Sequence, residues 1–445
     1  MPIEEIALSN YGRASIEPSA VNRMMGDFAA TFRDGRDINL GVGYVNERTI
    51  PRDQVREALG VVLDEPQKHR AALNYGGPRG SANLIDAVRR FLVEGPARMP
   101  AGVLDERQII VGPNGATGLL ESIACLVRRG VVVVADPMYY IYCDHLARLG
   151  FDVLAVPEDE QGLSAAALRT RIDSLGERRR ELSFIYVVTV HNPTGRVLSN
   201  PRRRELLEIA NRLSAELGRK VPLILDRAYE ELIHDPAVES VESALPLDQL
   251  GIVYEVGTLS KILAPGLRIG YMVAPPGPFL DALIQRTSDA GFSAPLLNQE
   301  IASYLLDRHA ADQVSRVKAG YREKARHVRT WLEQKLGDAV EQCSGGQAGF
   351  YFYLTLRDVH TQVGSYFFRF LSRTTGDAAI DGRAGDPKAR VVYIPGEFCV
   401  HPAGDLVEAG KRQLRISYGF EELEQIERAL DLMAEAIHHT RASGQ

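Results

Sequence analysis

The chain has 445 residues, too many for one small core, so two domains are expected. Its 45% hydrophobic and 25% charged residues are those of an ordinary globular protein, and a net charge of −6 gives no reason to expect nucleic acid or an anionic membrane as partner. Four cysteines without metal-type spacing, no basic start with a long apolar core, and apolar runs too short for a bilayer point to a reduced, cytoplasmic protein with neither metal site nor membrane segment.

Residues 1–37 read as an arm and a first helix at 19–32. The run 38–44, Ile-Asn-Leu-Gly-Val-Gly-Tyr, puts Gly43 and Tyr44 after a short apolar strand, where small residues let a backbone approach a ligand. Helices are predicted at 52–63 and 82–93, with the turn-rich loop 73–80 between them. From Gln108 onward apolar strands alternate with helices. Seven strands are predicted, at 108–111, 131–135, 153–156, 184–190, 223–225, 252–256 and 269–273, with helices at 116–127, 164–172 and 200–217. Near-continuous apolar strands require a sheet covered on both faces, so the fold class is α/β with a large, mainly parallel sheet sandwiched by helices. The last two strands are close enough in sequence for one to run antiparallel. A long helical stretch with two breaks is expected at 297–336. The remainder reads as a smaller α+β domain, with strands at 350–356, 391–394 and 413–417, helices at 364–372 and 421–442, and a mobile loop at 373–388.

The chemistry lies in the loops at the strand ends, because ligands in open α/β sheets bind at the carboxyl ends of strands. Gly115, Ala116 and Thr117 open a helix, whose free N–H groups suit a phosphate. Asp136-Pro-Met-Tyr139 offers an aromatic face. His191-Asn192-Pro-Thr-Gly195 makes a turn with an amide able to bond a phenol oxygen. Asp226 ends an apolar strand, where a carboxylate needs a partner; a pyridinium N–H would serve, and so would the neighbouring Arg227. Tyr229 lies three residues on. Thr258, Ser260, Lys261 and Arg268 then bring two hydroxyls and a guanidinium for a phosphate ester around a candidate Schiff-base lysine. Each loop alone is explained by a turn, a cap or core packing. Together they match one molecule that carries a phosphate, an aldehyde, a pyridine nitrogen and a phenol oxygen: pyridoxal 5'-phosphate.

At this point the chain resembles the pyridoxal-phosphate enzymes of fold type I, class I/II aminotransferases, from Ile38 to the C-terminal helix. The resemblance rests on Tyr75, Gly115-Ala-Thr117, Asp136-Pro137 with Tyr139, Asn192-Pro-Thr-Gly195, Asp226 with Tyr229, Ser260-Lys261, Pro265-Gly-Leu-Arg268 and Leu414-Arg-Ile-Ser417. It implies that Lys261 bonds the cofactor covalently and that Asp226 keeps its ring nitrogen protonated. Tyr229 and Asn192 would hold the phenol oxygen, and Tyr139 would stack on the ring. Ala116, Thr117, Thr258, Ser260 and Arg268 would bind the phosphate, with Tyr75 reaching in from the second subunit of a homodimer. Arg415 would take the substrate carboxylate, beside Gly43, Tyr44 and Asn192. The implied domains are 1–50 with 297–445 as arm, connecting helix and small domain, and 51–296 as the cofactor domain.

The expected reaction moves an amino group between an amino acid and a 2-oxo acid. The segment 286–292, Arg-Thr-Ser-Asp-Ala-Gly-Phe, stands where aspartate aminotransferases carry an arginine for a second carboxylate; it argues against an acidic substrate and raises Asp289 as a partner for a cationic one. An alternative is a lyase or cyclase acting on an amino acid like S-adenosylmethionine, since Pro137-Met-Tyr-Tyr140 with Asp144 is similar to aminocyclopropane-carboxylate synthases. Where those enzymes carry a glutamate in the glycine loop, this chain has Tyr44. A transcription regulator with a borrowed aminotransferase domain ranks last, because the family-like region begins within about forty residues of Met1, too few for a DNA-binding domain ahead of it.

Overall fold

The computed structural model describes residues 6–95, 98–383 and 385–443. Its centre is one sheet of eight strands: β1 (Gln108–Val111), β2 (Val131–Asp136), β3 (Asp152–Asp159), β4 (Gly162–Leu163), β5 (Leu182–Val188), β6 (Leu223–Asp226), β7 (Val253–Thr258) and β8 (Gly270–Ala274). Their order is β1-β8-β7-β6-β5-β2-β3-β4. The pairs from β3 through β7 are parallel, whereas β8 lies antiparallel between β1 and β7. The seven expected strands are all present. The eighth, β4, is a two-residue antiparallel edge piece, too short to leave a pattern in the sequence. Strands β2, β5, β6, β7 and β8 are buried at every residue, as a sheet covered on both faces demands.

The covering helices start and stop on ordinary signals. Ser81 caps Ala82–Glu94, accepting from the Leu84 N–H at 3.2 Å. Ser199 caps Asn200–Leu217 in the same way, Pro201 occupies the first turn, and Gly218 closes the helix in the left-handed region. The stretch expected to break is a single 36-residue helix, Leu296–Trp331, that ends in a π-helical turn, Leu332–Leu336. It packs along helices Arg52–Asp64 and Ala82–Glu94 and carries the chain to the smaller body.

The smaller body holds an antiparallel sheet of β9 (Val340–Gly345), β10 (Tyr351–Leu356), β11 (Ile394–Pro395) and β12 (Gln413–Ser417), in the order β9-β10-β12-β11. Helix Leu423–Ser443 packs against helices Tyr366–Ser372 and Leu296–Trp331. From the other end of the chain, Ile38–Asn39 pairs in parallel with Val391–Val392. The segment 373–388 was expected to be a mobile loop. Its described residues instead form a short helix, Ala378–Asp381, and a small hairpin joining Gly382–Arg383 to Asp386–Pro387. Asp381 organises it, accepting from the Thr375 hydroxyl at 2.8 Å and the Gly376 N–H at 2.7 Å. Among the described residues no helix is long and apolar enough to cross a membrane.

Candidate active site

The ends of β5, β6 and β7 meet the smaller sheet across a cleft of about 320 Å³. Val188, Asp226 and Val256 are level with one another in adjacent strands, so Asp226 stands at the floor of the cleft. Its Oδ2 accepts from the Tyr186 hydroxyl at 2.7 Å and its Oδ1 from the Ala228 N–H at 3.0 Å. Burial pushes the carboxyl above its usual range, against those two bonds. Arg227, the alternative partner, faces away. Its guanidinium lies 2.5 Å from Glu230 and 2.7 Å from Glu255, and Glu230 also meets Arg203 at 2.5 Å. Successive side chains along an extended backbone point to opposite faces, which separates the two charges. A buried carboxylate with hydrogen bonds but no ion pair among the described residues suits a cationic ring nitrogen.

Lys261 follows β7, and its Nζ donates to the Gly43 carbonyl at 2.9 Å. Burial lowers the amine to about 8, helped by Arg268 and Arg415 and opposed by Asp226. The amine is therefore partly unprotonated near neutrality, which a nucleophilic lysine requires. Nearby, the Thr258 hydroxyl donates to the Ile269 carbonyl at 2.9 Å, and its oxygen lies 2.9 Å from Ser260 Oγ. Arg268 donates to the side-chain and backbone oxygens of Asn114 at 2.8 and 2.9 Å, immediately before helix Gly115–Leu126. The helix start is pressed against β8: a Cβ on Gly270 would fall 2.2 Å from the Ala116 nitrogen. This close approach gathers Ala116 and Thr117, Thr258 and Ser260, and Arg268 into one cradle with the charge and geometry for a phosphate.

Arg415 enters from β12, paired with Tyr353 across the sheet. It donates to Asn192 Oδ1 at 2.8 Å and to the Gly41 carbonyl, while its Nε is buried without a hydrogen bond. Its guanidinium lies over the rings of Tyr351 and Tyr140, at 4.4 and 5.9 Å. An unsatisfied N–H beside a cleft suits a carboxylate. Tyr229 forms another wall; burial pushes its phenol well above the ordinary value, so it remains a hydroxyl at neutral pH. The donor set, the cradle and the unpaired carboxylate together fit pyridoxal 5'-phosphate.

The cleft thus collects Gly43, Tyr44, Ala116, Thr117, Tyr139, Asn192, Asp226, Tyr229, Thr258, Ser260, Lys261, Arg268 and Arg415. Gly115 lies just behind it, where a Cβ would approach Arg268 Nη2 at 3.3 Å. Tyr75 is not in the cleft of its own chain; it is 84% exposed on the loop 73–80, its ring 6.1 Å from that of Phe292. Asp289 is also outside the cleft, exposed and bonded to Gln285 at 2.8 Å, so it offers no support within the chain for a cationic substrate. Sequence reasoning missed Tyr140, Ile141 and Tyr351 in the cleft wall and Tyr186 behind Asp226. Tyr140 stood next to Tyr139, and that adjacency was the available signal. Tyr351 and Tyr186 sit in strands buried on both faces, where no alternation marks one side.

Fold and cleft define a pyridoxal-phosphate enzyme of fold type I. The family model described as aminotransferase class I and II matches residues 37–381. The 2-aminoadipate transaminase of Thermus thermophilus is 30% identical over 333 residues, 74% of this chain and 77% of that one. An uncharacterized HTH-type transcriptional regulator of Bacillus subtilis, YisV, is 25% identical over 411 residues, 91% of this chain and 75% of the regulator. The multiple substrate aminotransferase from Thermococcus profundus shares the fold, with a TM-score of 0.80 at 21% identity over 98% of both chains. The chain belongs to the class I and II aminotransferase family. It is a pyridoxal-phosphate-dependent transferase.

Proposed function

We propose that the enzyme transfers the amino group of an uncharged amino acid, apolar or aromatic in its side chain, to a 2-oxo acid. The observation that carries this reading is the meeting of Lys261, Asp226 and Arg415 in one cleft whose remaining wall includes Tyr44, Tyr140, Ile141 and Tyr351. Of the cationic groups that line it among the described residues of one chain, Arg268 faces the phosphate cradle and Lys261 is the nucleophile, which leaves Arg415 for one carboxylate and none for a second. When bound, the cofactor supplies a sink for the electrons released at the substrate Cα.

The protein supplies the rest. Asp226 holds the ring nitrogen in its protonated form. Tyr229 and Asn192 donate to the phenol oxygen, and Tyr139 covers a ring face. Gly115, Ala116, Thr117, Thr258, Ser260 and Arg268 hold the phosphate. Arg415, beside Gly43, orients the substrate carboxylate and so aims the Cα–H. The Lys261 amine, once free, takes the proton from Cα. The functional unit we infer is a homodimer in which Tyr75 of the partner subunit completes the phosphate site; its exposure, with that of Leu73, supports this. The region 51–296 would act as the cofactor domain, with 1–50 and 297–445 forming the small domain. We assign the enzyme to the cytoplasm, where its four free cysteines would stay reduced.

The test is to add single amino acids to the holoenzyme without any 2-oxo acid and follow the cofactor's absorption. Accumulation of the cofactor's amine form, one equivalent per site, with leucine or phenylalanine but not aspartate is the expected result. Regeneration of the aldehyde form with release of an elimination product would replace this reading with the lyase. A response to aspartate alone would overturn the substrate class.

A further inference from the structure

Tyr351 opens β10, and its hydroxyl lies 2.9 Å from that of Tyr229. Its ring supports the Arg415 guanidinium at 4.4 Å. Room for the hydroxyl is left by Gly43, where a Cβ would come within 2.6 Å of it. One side chain therefore touches the tyrosine of the phenol-oxygen site, the arginine of the carboxylate site and the loop that receives Lys261.

The Tyr229 hydroxyl has one proton and two lone pairs. Given to Tyr351, that proton is lost to the cofactor. If Tyr351 is the donor, the Tyr229 proton is free, and a hydroxyl that accepts a hydrogen bond is also a stronger donor. We propose that Tyr351 is a positioning residue for the amino-group transfer: it donates to Tyr229, so that Tyr229 donates to the cofactor's phenol oxygen, and its ring face holds Arg415 ready for the substrate carboxylate. This rests on the reading of Tyr229 given above. Tyr44, Tyr139, Tyr140, Asp226, Lys261, Arg268 and Arg415 are the other charged and titratable groups facing the same space, and all of them are retained in the Tyr351 variants.

The two halves separate by substitution. Tyr351→Phe keeps the ring and removes the proton, whereas Tyr351→Leu removes both. Two quantities are read on holoenzyme without turnover: the pH midpoint of the cofactor's visible absorption change, and the Kd of 2-methylalanine, which has a carboxylate but no Cα–H. A hydrogen bond to the phenolate stabilises its unprotonated form, so weakening that bond raises the midpoint. Tyr351→Phe should raise it by roughly 0.4–1 unit and leave the Kd nearly unchanged. Tyr351→Leu should raise the midpoint similarly and weaken 2-methylalanine by roughly 3- to 30-fold. Tyr229→Phe should raise the midpoint further, and adding Tyr351→Phe to it should change nothing more. A Tyr229→Phe midpoint equal to wild type would overturn the underlying reading of Tyr229. A shift with Tyr229→Phe but none with Tyr351→Phe, or additive shifts in the double variant, would overturn the role of Tyr351. An unchanged Kd in Tyr351→Leu would overturn its support of Arg415.

Discussion

Arg415 donates to the amide oxygen of Asn192 at 2.8 Å, and this bond joins the small sheet to the turn after β5. A guanidinium has no acceptor, so the partner atom must be the oxygen and the Asn192 NH₂ is left to point elsewhere. In the roles proposed for them, Arg415 at the carboxylate would thereby set the orientation of Asn192 as a donor to the phenol oxygen.

Arg415→Lys keeps the charge and loses the fork. A lysine cannot bond Asn192, the Gly41 carbonyl and a carboxylate in the same geometry. The expected loss is about 1.5–3 kcal/mol in amino-acid binding, a roughly 10- to 150-fold rise in the Kd of 2-methylalanine. An unaltered Kd would place the carboxylate elsewhere.

Lys261 carries a pH signature. Its folded value of about 8 lies below the ordinary 10.5. Between the two, the unfolded chain binds a proton that the folded chain lacks, so cofactor-free protein gains stability as pH rises through this window. Lys261→Met removes the contribution. Its Tm advantage over wild type should be greatest near pH 7–8 and should shrink toward 10.5; a difference flat with pH would mean a solvated amine. In the holoenzyme, borohydride should fix the cofactor to the peptide containing Lys261, and recovery of the label on another lysine would contradict the assignment.

Asp226→Ala leaves the ring nitrogen without its counter-charge. The transition state should lose about 3–4 kcal/mol, on the order of 10²–10³-fold in kcat. Cofactor binding through the phosphate cradle should persist. Near-normal turnover in this variant would remove Asp226 from the mechanism.

Tyr75 is best tested by mixing subunits. Tyr75→Ala and Lys261→Ala should each be impaired alone. If Tyr75 acts across a twofold interface, a mixed dimer has one site with both lesions and one with neither, so part of the activity returns. Proven subunit exchange without any recovery would assign Tyr75 to its own subunit or to no role.

The strand-end residues were legible because glycine, proline and polar residues stand out between apolar strands; Asp226 and Lys261 could be placed from that contrast. The conflict between Asp226 and Arg227 was not legible. Only the folded chain reveals that Arg227 is drawn away by Glu230 and Glu255, which lie three and twenty-eight residues further on. The edge strand β9, Val-Glu-Gln-Cys-Ser-Gly, escaped notice because it is half exposed and carries no apolar alternation. Helix Leu296–Trp331 was read as interrupted because its buried face is narrow and polar residues such as Gln299, Glu300 and Gln313 belong to it. Gln299 bonds the Ser81 N–H at 2.7 Å, Glu300 bonds Asn83 at 2.7 Å, and Gln313 bonds the Ile262 carbonyl at 2.7 Å. Tertiary partners, invisible in a pattern, make those positions interior.

The position of β8 has a consequence for synthesis. Asn114 and Arg268 are neighbours across a sequence separation of 154 residues, because β8 inserts between the first strand of the sheet and the seventh. A nascent chain that has emerged only as far as β7 has its helix start and its Thr258 hydroxyl, but not the arginine or the strand that seats them together. On the phosphate site proposed here, capture of the phosphate would therefore wait until the central sheet is closed, and fragments that stop short of Ala274 should not retain the cofactor through its phosphate however well their other strands have formed.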